Sequence, residues 1–545
     1  MPESAPNLKS ETAAAGIAGG GASRAGSVAS GVLLSRIFGV VRDSIFAHYF
    51  GNSAAADAFK AGFRIPNILQ NLFGEGVLSA SFIPVYSKLL AEGDVETADM
   101  LAWGVGAVLS AAMALLSAIG VIVAPYLIDV IAPGFEADKR ELTIQIVRIL
   151  FPGSGLLVVS AWFLGVLNSH HKFFLSYAAP VAWNVAMIVA LLHFGPHESQ
   201  DGLAIEISWA SVIGSALQIA VQVPQTLALL QKKRIDYKRI ADPLRSVFRN
   251  LTPVVVSRGV INLTTYVDNV LASLLPTGAV AAINYGQLLY MLPISLFGYA
   301  VAASELPTMS RAAAASAEQM NSILRARLDR GLKQIAFMVV PSSVAFILLG
   351  DVIVAIIYQS GEFTHADAVY VWSVLAGSGV GLLAATMGRL YNSAFYALWD
   401  TRTPLRFALI RVALTIVLGY LFAIPMPGWI GIEQKWGVAG LTISAGIAGW
   451  VEFALLRWAL DRRIGWTGME RSYLIKLYSL AIAAAAAGFA LKVAMTGFGP
   501  RIGGLAVILV YGAVYLLGAW VLRISELTVF IDEVSRRLGR RAAAR

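Results

Sequence analysis

The sequence predicts an all-α polytopic membrane protein of about 14 transmembrane helices. Three observations carry this reading. Apolar residues make up 57% of the 545 residues and charged residues 14%, against roughly 45–50% and 25% in soluble proteins. Mean hydropathy over the whole chain is +0.69. Apolar runs recur from residue 30 to residue 523, many of them about the 20 residues that a bilayer-crossing helix needs.

Taken in order, residues 1–27 are rich in Ala, Gly and Ser and read as a disordered tail without a cleavable signal. The runs then fall near 30–50, 55–90, 100–126, 144–168, 172–194, 204–230, 250–275, 278–306, 332–357, 368–396, 404–424, 435–458, 473–494 and 502–523. The second is long and carries Pro66 and Pro84, which predicts a kinked helix or one that runs past the membrane. Residues 524–545 read as an amphipathic helix with a basic end, suited to anionic headgroups. Cations gather after even-numbered runs, as in Lys232, Lys233, Arg234, Lys238 and Arg239, while Glu198, Asp201, Glu362 and Asp367 follow odd ones. The expectation is that both termini are cytoplasmic.

Several chemistries are excluded by residue type. With no cysteine there are no disulfides, thiolate nucleophiles or Cys-ligated metals. The six histidines form no paired metal motif, and no phosphate-binding G-x-x-x-x-G-K-[ST] loop is present. The net charge of +9 is accounted for by the basic loops, so a nucleic-acid partner is not expected.

An internal repeat is visible. Gly51, Asp57 and Pro66 recur with the same spacing as Gly278, Asn284 and Pro293, each set following a Ser-Arg pair (Ser35-Arg36, Ser257-Arg258). The copies lie six spans apart, which makes the repeats parallel and the path between lobes the substrate route. Gly377 and Gly381 have helix-packing spacing.

Ionisable residues inside spans face a cavity or a partner. The set includes Arg36, Arg42, Asp43, Asp57, Lys60, Arg64, Glu75, Arg258, Asp268, Glu305, Arg389, Arg411, Glu452 and Arg457. Arg36 and Arg457 lie near span ends and can snorkel. Arg42 is near mid-helix; Asp43, adjacent and about 100° around the helix, is expected to be a poor direct partner. A basic cavity without an ATPase suggests an anionic substrate, with phosphate matching the arginine fork.

The segment Ser35-Arg36-Ile37-Phe38-Gly39-Val40-Val41-Arg42-Asp43, with Asp57-Ala58-Phe59, Pro66-Asn67, Phe73-Gly74-Glu75-Gly76, Phe82-Ile83-Pro84 and the later block Phe395 to Pro404, resembles the MurJ (MviN) lipid II flippase family. The resemblance covers about residues 30–523. It implies the multidrug/oligosaccharidyl-lipid/polysaccharide exporter fold, with two six-helix lobes at 28–232 and 233–465, related by a pseudo-twofold axis, around a cationic cavity, plus two C-terminal helices. The two helices of 466–523 would form a lipid-facing groove. The implied activity is flipping of lipid II, the undecaprenyl-diphosphate-linked muropeptide, across the bacterial cytoplasmic membrane by alternating access.

The expected substrate-binding set is Arg42, Asp57, Arg64, Glu75, Arg258 and Arg36, of which Arg42, Asp57 and Glu75 match family positions. Two family arginine positions hold Gln70 and Leu288 instead, so Arg64 or Arg258 are the expected substitutes. No organic cofactor is implied. A sodium ion or the membrane potential is the coupling candidate, with Asp268 and Asp400 at positions resembling a cation site. Implied partners are lipid II, membrane lipids and other cell-wall synthesis proteins. The alternatives are an exporter of another lipid-linked glycan and a non-transporting cell-wall scaffold. A prenyl- or glycosyltransferase lacks its D-D-x-x-D cluster here, so the chain is not expected to be an enzyme.

Overall fold

The computed structural model describes residues 31, 33–231, 236–312, 316–495 and 497–528, less the side chains of residues 237, 256–265, 303, 312 and 317. The predicted N-terminal tail, the basic residues Lys232–Arg234, the side chain of Arg258 and the last part of the C-terminal segment lie outside the described residues. Within them the chain is helical, and the sole extended pairing is an isolated bridge between Ser360 and Phe363.

Among the described residues, 12 helices are long and apolar enough to cross a bilayer. The first and seventh predicted runs fall on helices 33–50 and Tyr237–Ser273, which are not among those 12. The second run is broken into Ala54–Arg64, Asn67–Phe73 and Glu75–Ala91. The breaks sit at Pro66, which has no N–H to donate, and at Gly74, which is extended (φ −78°, ψ −156°). Pro84, the other proline of the run, stays inside its helix.

Helix starts follow the local sequence. The Asp94 carboxylate accepts from Thr97 N at 3.1 Å, and the Ser199 hydroxyl from Gly202 N at 3.2 Å. Thr364 and Asp367 form a reciprocal capping box. The two repeat copies behave alike. Gly51 (φ 56°) and Gly278 (φ 98°) both take the left-handed turn before their helix. Regular α-helix then fails at both prolines: a break at Pro66, and a π-helical turn Ile294–Gly298 after Pro293.

The chain divides into two compact units, one holding helix 33–50 with Ala54–Leu263, the other Gly51–Ser53 with the chain from Thr264 onward. In the first, helix Ala137–Ser169 is central. Its Phe151 and Trp162 lie where a Cβ on Gly120 or Gly106 would come to 2.3 and 2.8 Å, so both glycines are required for close approach. Buried polar groups join helices: Ser160 donates to Gln222 at 2.8 Å and accepts from Gln218 at 2.9 Å.

In the second unit, helix His365–Ala397 packs on Gly437–Ile464. A Cβ on Gly381 would lie 2.4 Å from the Gly446 Cα, which accounts for the small-residue spacing. The last two spans, Arg471–Ala494 and Pro500–Val521, are fastened to this unit by side chains. Tyr511 and Tyr515 donate to the Pro341 and Phe337 carbonyls at 2.6 and 2.8 Å, and Lys492 pairs with Asp351.

Candidate functional site

In the first unit, the charged side chains of helices 33–50 and Ala54–Arg64 meet. Arg42 lies about nine residues into its helix, or about 13 Å along it, which is deep for a snorkelling stem. Its Nη2 bonds to Asp43 Oδ2 at 2.8 Å, and Lys60 Nζ bonds to Asp43 Oδ1 at 2.8 Å. The expectation that Asp43 would be a poor partner for Arg42 is therefore corrected. The flexible guanidinium stem bends back across the 100° between adjacent helical positions, and the carboxylate bridges two cations.

The site is walled by uncharged groups. Arg42 Nη1 donates to Asn184 Oδ1 at 3.0 Å, and its guanidinium carbon sits 4.8 Å from the centre of the Trp183 ring. Lys60 lies 4.3 Å from the Phe46 ring centre. Asn184 is itself anchored, donating to the Pro180 carbonyl at 3.0 Å. Two cations around one carboxylate leave about one net positive charge, with further arginine N–H groups to donate. A buried network of this kind orients Arg42 and favours an anionic ligand.

The other expected residues are arranged around it unequally. Arg64 is half-buried and acts electrostatically on Lys60. Asp57 is buried and paired with Lys139 at 3.1 Å, on the first turn of the helix that carries Lys60. Glu75 is exposed and lies against the Tyr177 hydroxyl. Arg36 is exposed near the helix start. Gln70 is also exposed. Sequence reasoning placed Lys60 among the intramembrane ions but not in the site. Nothing marked Asn184 or Trp183, since neither residue type is unusual in a span. A groove of about 560 Å³ between helices Pro180–Phe194 and Gln200–Leu229 is apolar except for His193 and Glu206, and none of the residues bonded to or stacked on Arg42 lines it.

In the second unit, Leu288 is half-buried on helix Ala279–Pro293. Asp268 is half-buried. Asp400 sits in the turn before helix Arg402–Ala423 with both oxygens engaged. Oδ1 accepts from Arg402 N and Thr403 N at 3.1 and 3.0 Å; Oδ2 accepts from Thr403 Oγ1 at 2.7 Å and Arg463 at 2.6 Å. Burial opposes its charge, but the Thr403 and Arg463 hydrogen bonds prevail and hold the carboxyl down at about 2. A cation at Asp400 would have to displace this helix cap. Among the described residues no group of three His, Cys, Asp or Glu side chains gathers to hold a metal ion.

The sequence profile of the lipid II flippase MurJ matches residues 46–501. The chain belongs to the lipid II flippase MurJ family. That stretch takes in Asp57, Arg64, Glu75, Arg258, Asp268 and Asp400, whereas Arg36 and Arg42 precede it. The lipid II flippase MurJ of Burkholderia cenocepacia is 30% identical over 79% of this chain and 82% of its own length. A probable lipid II flippase MurJ from Rhizobium tropici is 29% identical over 80% of both.

A solved structure of lipid II flippase MurJ in an inward closed conformation matches with a TM-score of 0.73 at 22% identity, covering 91% of this chain and 98% of that one. An inward-facing multidrug resistance MATE family transporter of the MOP superfamily matches at 0.61 and 19% identity, covering 78% and 95%. The MurJ-family chain thus shares an all-helical transporter fold with both.

Proposed function

We propose that this MurJ-family chain flips lipid II from the inner to the outer leaflet of the bacterial cytoplasmic membrane, for peptidoglycan synthesis, by alternating access. The observation that carries the reading is the Arg42–Asp43–Lys60 network, a buried site of net positive charge in a flippase-family chain. A diphosphate offers adjacent anionic oxygens, and the arginine fork donates to two of them at once. Asp43 and Asn184 hold the fork, Trp183 supports its face, and Lys60 adds a second cation on the same carboxylate.

In this reading both termini are cytoplasmic, the two lobes are residues 28–232 and 233–465, and the last two helices present the groove for the lipid tail. Transport draws on an ion gradient or the membrane potential, with Asp268 and Asp400 the acidic candidates; a cation at Asp400 would compete with its hydrogen bonds to the start of the next helix. The second reading, export of a different lipid-linked glycan, is favoured by one observation: Gln70 and Leu288 occupy family arginine positions.

Complementation of a flippase-depleted bacterium separates the readings. Growth with lipid II reaching the outer leaflet supports the first; accumulation of inner-leaflet lipid II despite full expression of the chain overturns it. Orientation is tested on this Cys-free chain by single cysteines. A membrane-impermeant reagent applied to intact cells should label Ser199→Cys and spare Arg245→Cys.

A further inference from the structure

The second unit carries cations for which the Arg42 network does not account. Arg389 lies on helix His365–Ala397, with its guanidinium carbon 4.3 Å from the Tyr299 ring centre. Its Nε is buried and has no hydrogen-bond partner. Among the described residues no carboxylate pairs with it. Glu305 is engaged by Arg327 at 3.7 Å, and Glu452 by Arg411 at 3.1 Å. Arg411, on helix Arg402–Ala423, and Arg389 both lie within electrostatic range of the Tyr290 phenol. Two arginines against one glutamate leave about one net positive charge there.

The backbone is shaped for this grouping. Residues Ile294–Gly298 form a π-helical turn, and Tyr299 follows it directly. A Cβ on Gly298 would come to 2.7 Å from Thr386 and 3.8 Å from Arg389 Cδ, so only glycine lets the two helices close with Tyr299 beneath the arginine. Such π turns recur at functional sites. By helix rise, Arg389 lies about 12 Å from the Ala397 end of its helix, and Arg411 about 13 Å from the Arg402 end of its own. On the orientation proposed above these are cytoplasmic ends, and both groups sit at inner-leaflet depth. The Arg389 stem is held inside the protein, its Nε sealed from solvent without a hydrogen-bond partner. A cation at that depth is costly unless it is compensated.

We propose that Arg389 and Arg411, with the Tyr290 hydroxyl, form an anion site in the second unit that takes a phosphate group of a diphosphate-linked lipid. The site supplies from the tenth and eleventh spans the charge that Leu288 does not supply from the eighth. This rests on the flippase reading and deepens it by naming where this unit grips the substrate class.

The test uses the full chain in lipid nanodiscs, with undecaprenyl diphosphate as the probe and undecaprenol as the phosphate-free control, both read by native mass spectrometry. The Arg389→Gln/Arg411→Gln variant should bind the diphosphate at least tenfold more weakly and undecaprenol unchanged. Arg389→Lys keeps a cation over Tyr299 but loses the fork, and should fall between that variant and the native chain; it also carries the test if the double variant does not fold. Diphosphate binding changed less than twofold in the double variant, or Arg389→Lys indistinguishable from native, overturns the assignment. Failure of the flippase reading is seen separately. A native chain that binds the diphosphate through these arginines, yet does not complement a flippase-depleted strain, keeps the site and loses the transport function.

Discussion

Asp43 is the hinge of the first-unit network, and neutralising it is the sharpest test of that geometry. Its two oxygens each hold a cation at 2.8 Å, and the side chains of Arg42, Asp43 and Lys60 are 18%, 9% and 12% exposed. Asp43→Asn keeps the shape, removes the charge, and leaves two buried cations facing each other. Breaking a buried pair from one side costs about 3–5 kcal/mol, mostly from the charge left behind. Lys60→Met removes one cation and leaves Asp43 paired with Arg42, so its cost is smaller, about 1–2 kcal/mol. The double variant retains one cation, Arg42, still bonded to Asn184 and stacked on Trp183. It should therefore recover much of the Asp43→Asn loss, giving a coupling of more than about 1.5 kcal/mol in a double-mutant cycle. The assay is denaturant or thermal unfolding of purified protein followed by tryptophan fluorescence. Single-variant losses that add to within about 0.5 kcal/mol would refute a shared carboxylate bridge.

Arg42→Ala should abolish lipid II flipping in complementation while leaving membrane insertion intact, and Arg42→Lys should lose about tenfold or more in rate, one charge-assisted hydrogen bond being worth about 1.5–3 kcal/mol. Restoring arginine by Gln70→Arg or Leu288→Arg should leave growth of a complemented strain unchanged; a requirement for both would show that the native site is defective. Asp400 sets an acid dependence. Its carboxyl is held at about 2, below the ordinary value, so its contribution to stability is full above about pH 4 and is lost as the pH falls towards 2. Asp400→Asn should lower stability at neutral pH and flatten the acid limb of the unfolding profile, as measured by melting temperature against pH.

The sequence made the membrane class, the positions of the spans and the repeat legible because each depends on composition or on backbone chemistry carried by one residue. Gly51 and Gly278 take the left-handed turn, and Pro66 and Pro293 end regular helix, for reasons internal to those residues. Intramembrane charge was legible in the same way, since Arg42, Lys60, Arg389 and Arg411 all stand out against apolar neighbours. What could not be read was which charges are partners. Helical geometry sends adjacent side chains about 100° apart, yet that rule fixes only where each Cβ points. The Arg42 stem is long enough to reach back to Asp43, and Lys60 from the next helix and Asn184, 142 positions from Arg42, complete the bonding around them. Likewise Asp57 reads as a cavity residue from its motif but is turned to Lys139, 82 positions away. Partnership in a low-dielectric core is decided by which distant helix delivers the opposite charge, and a residue such as Arg389, to which no described helix delivers one, is where ligand charge is expected to enter.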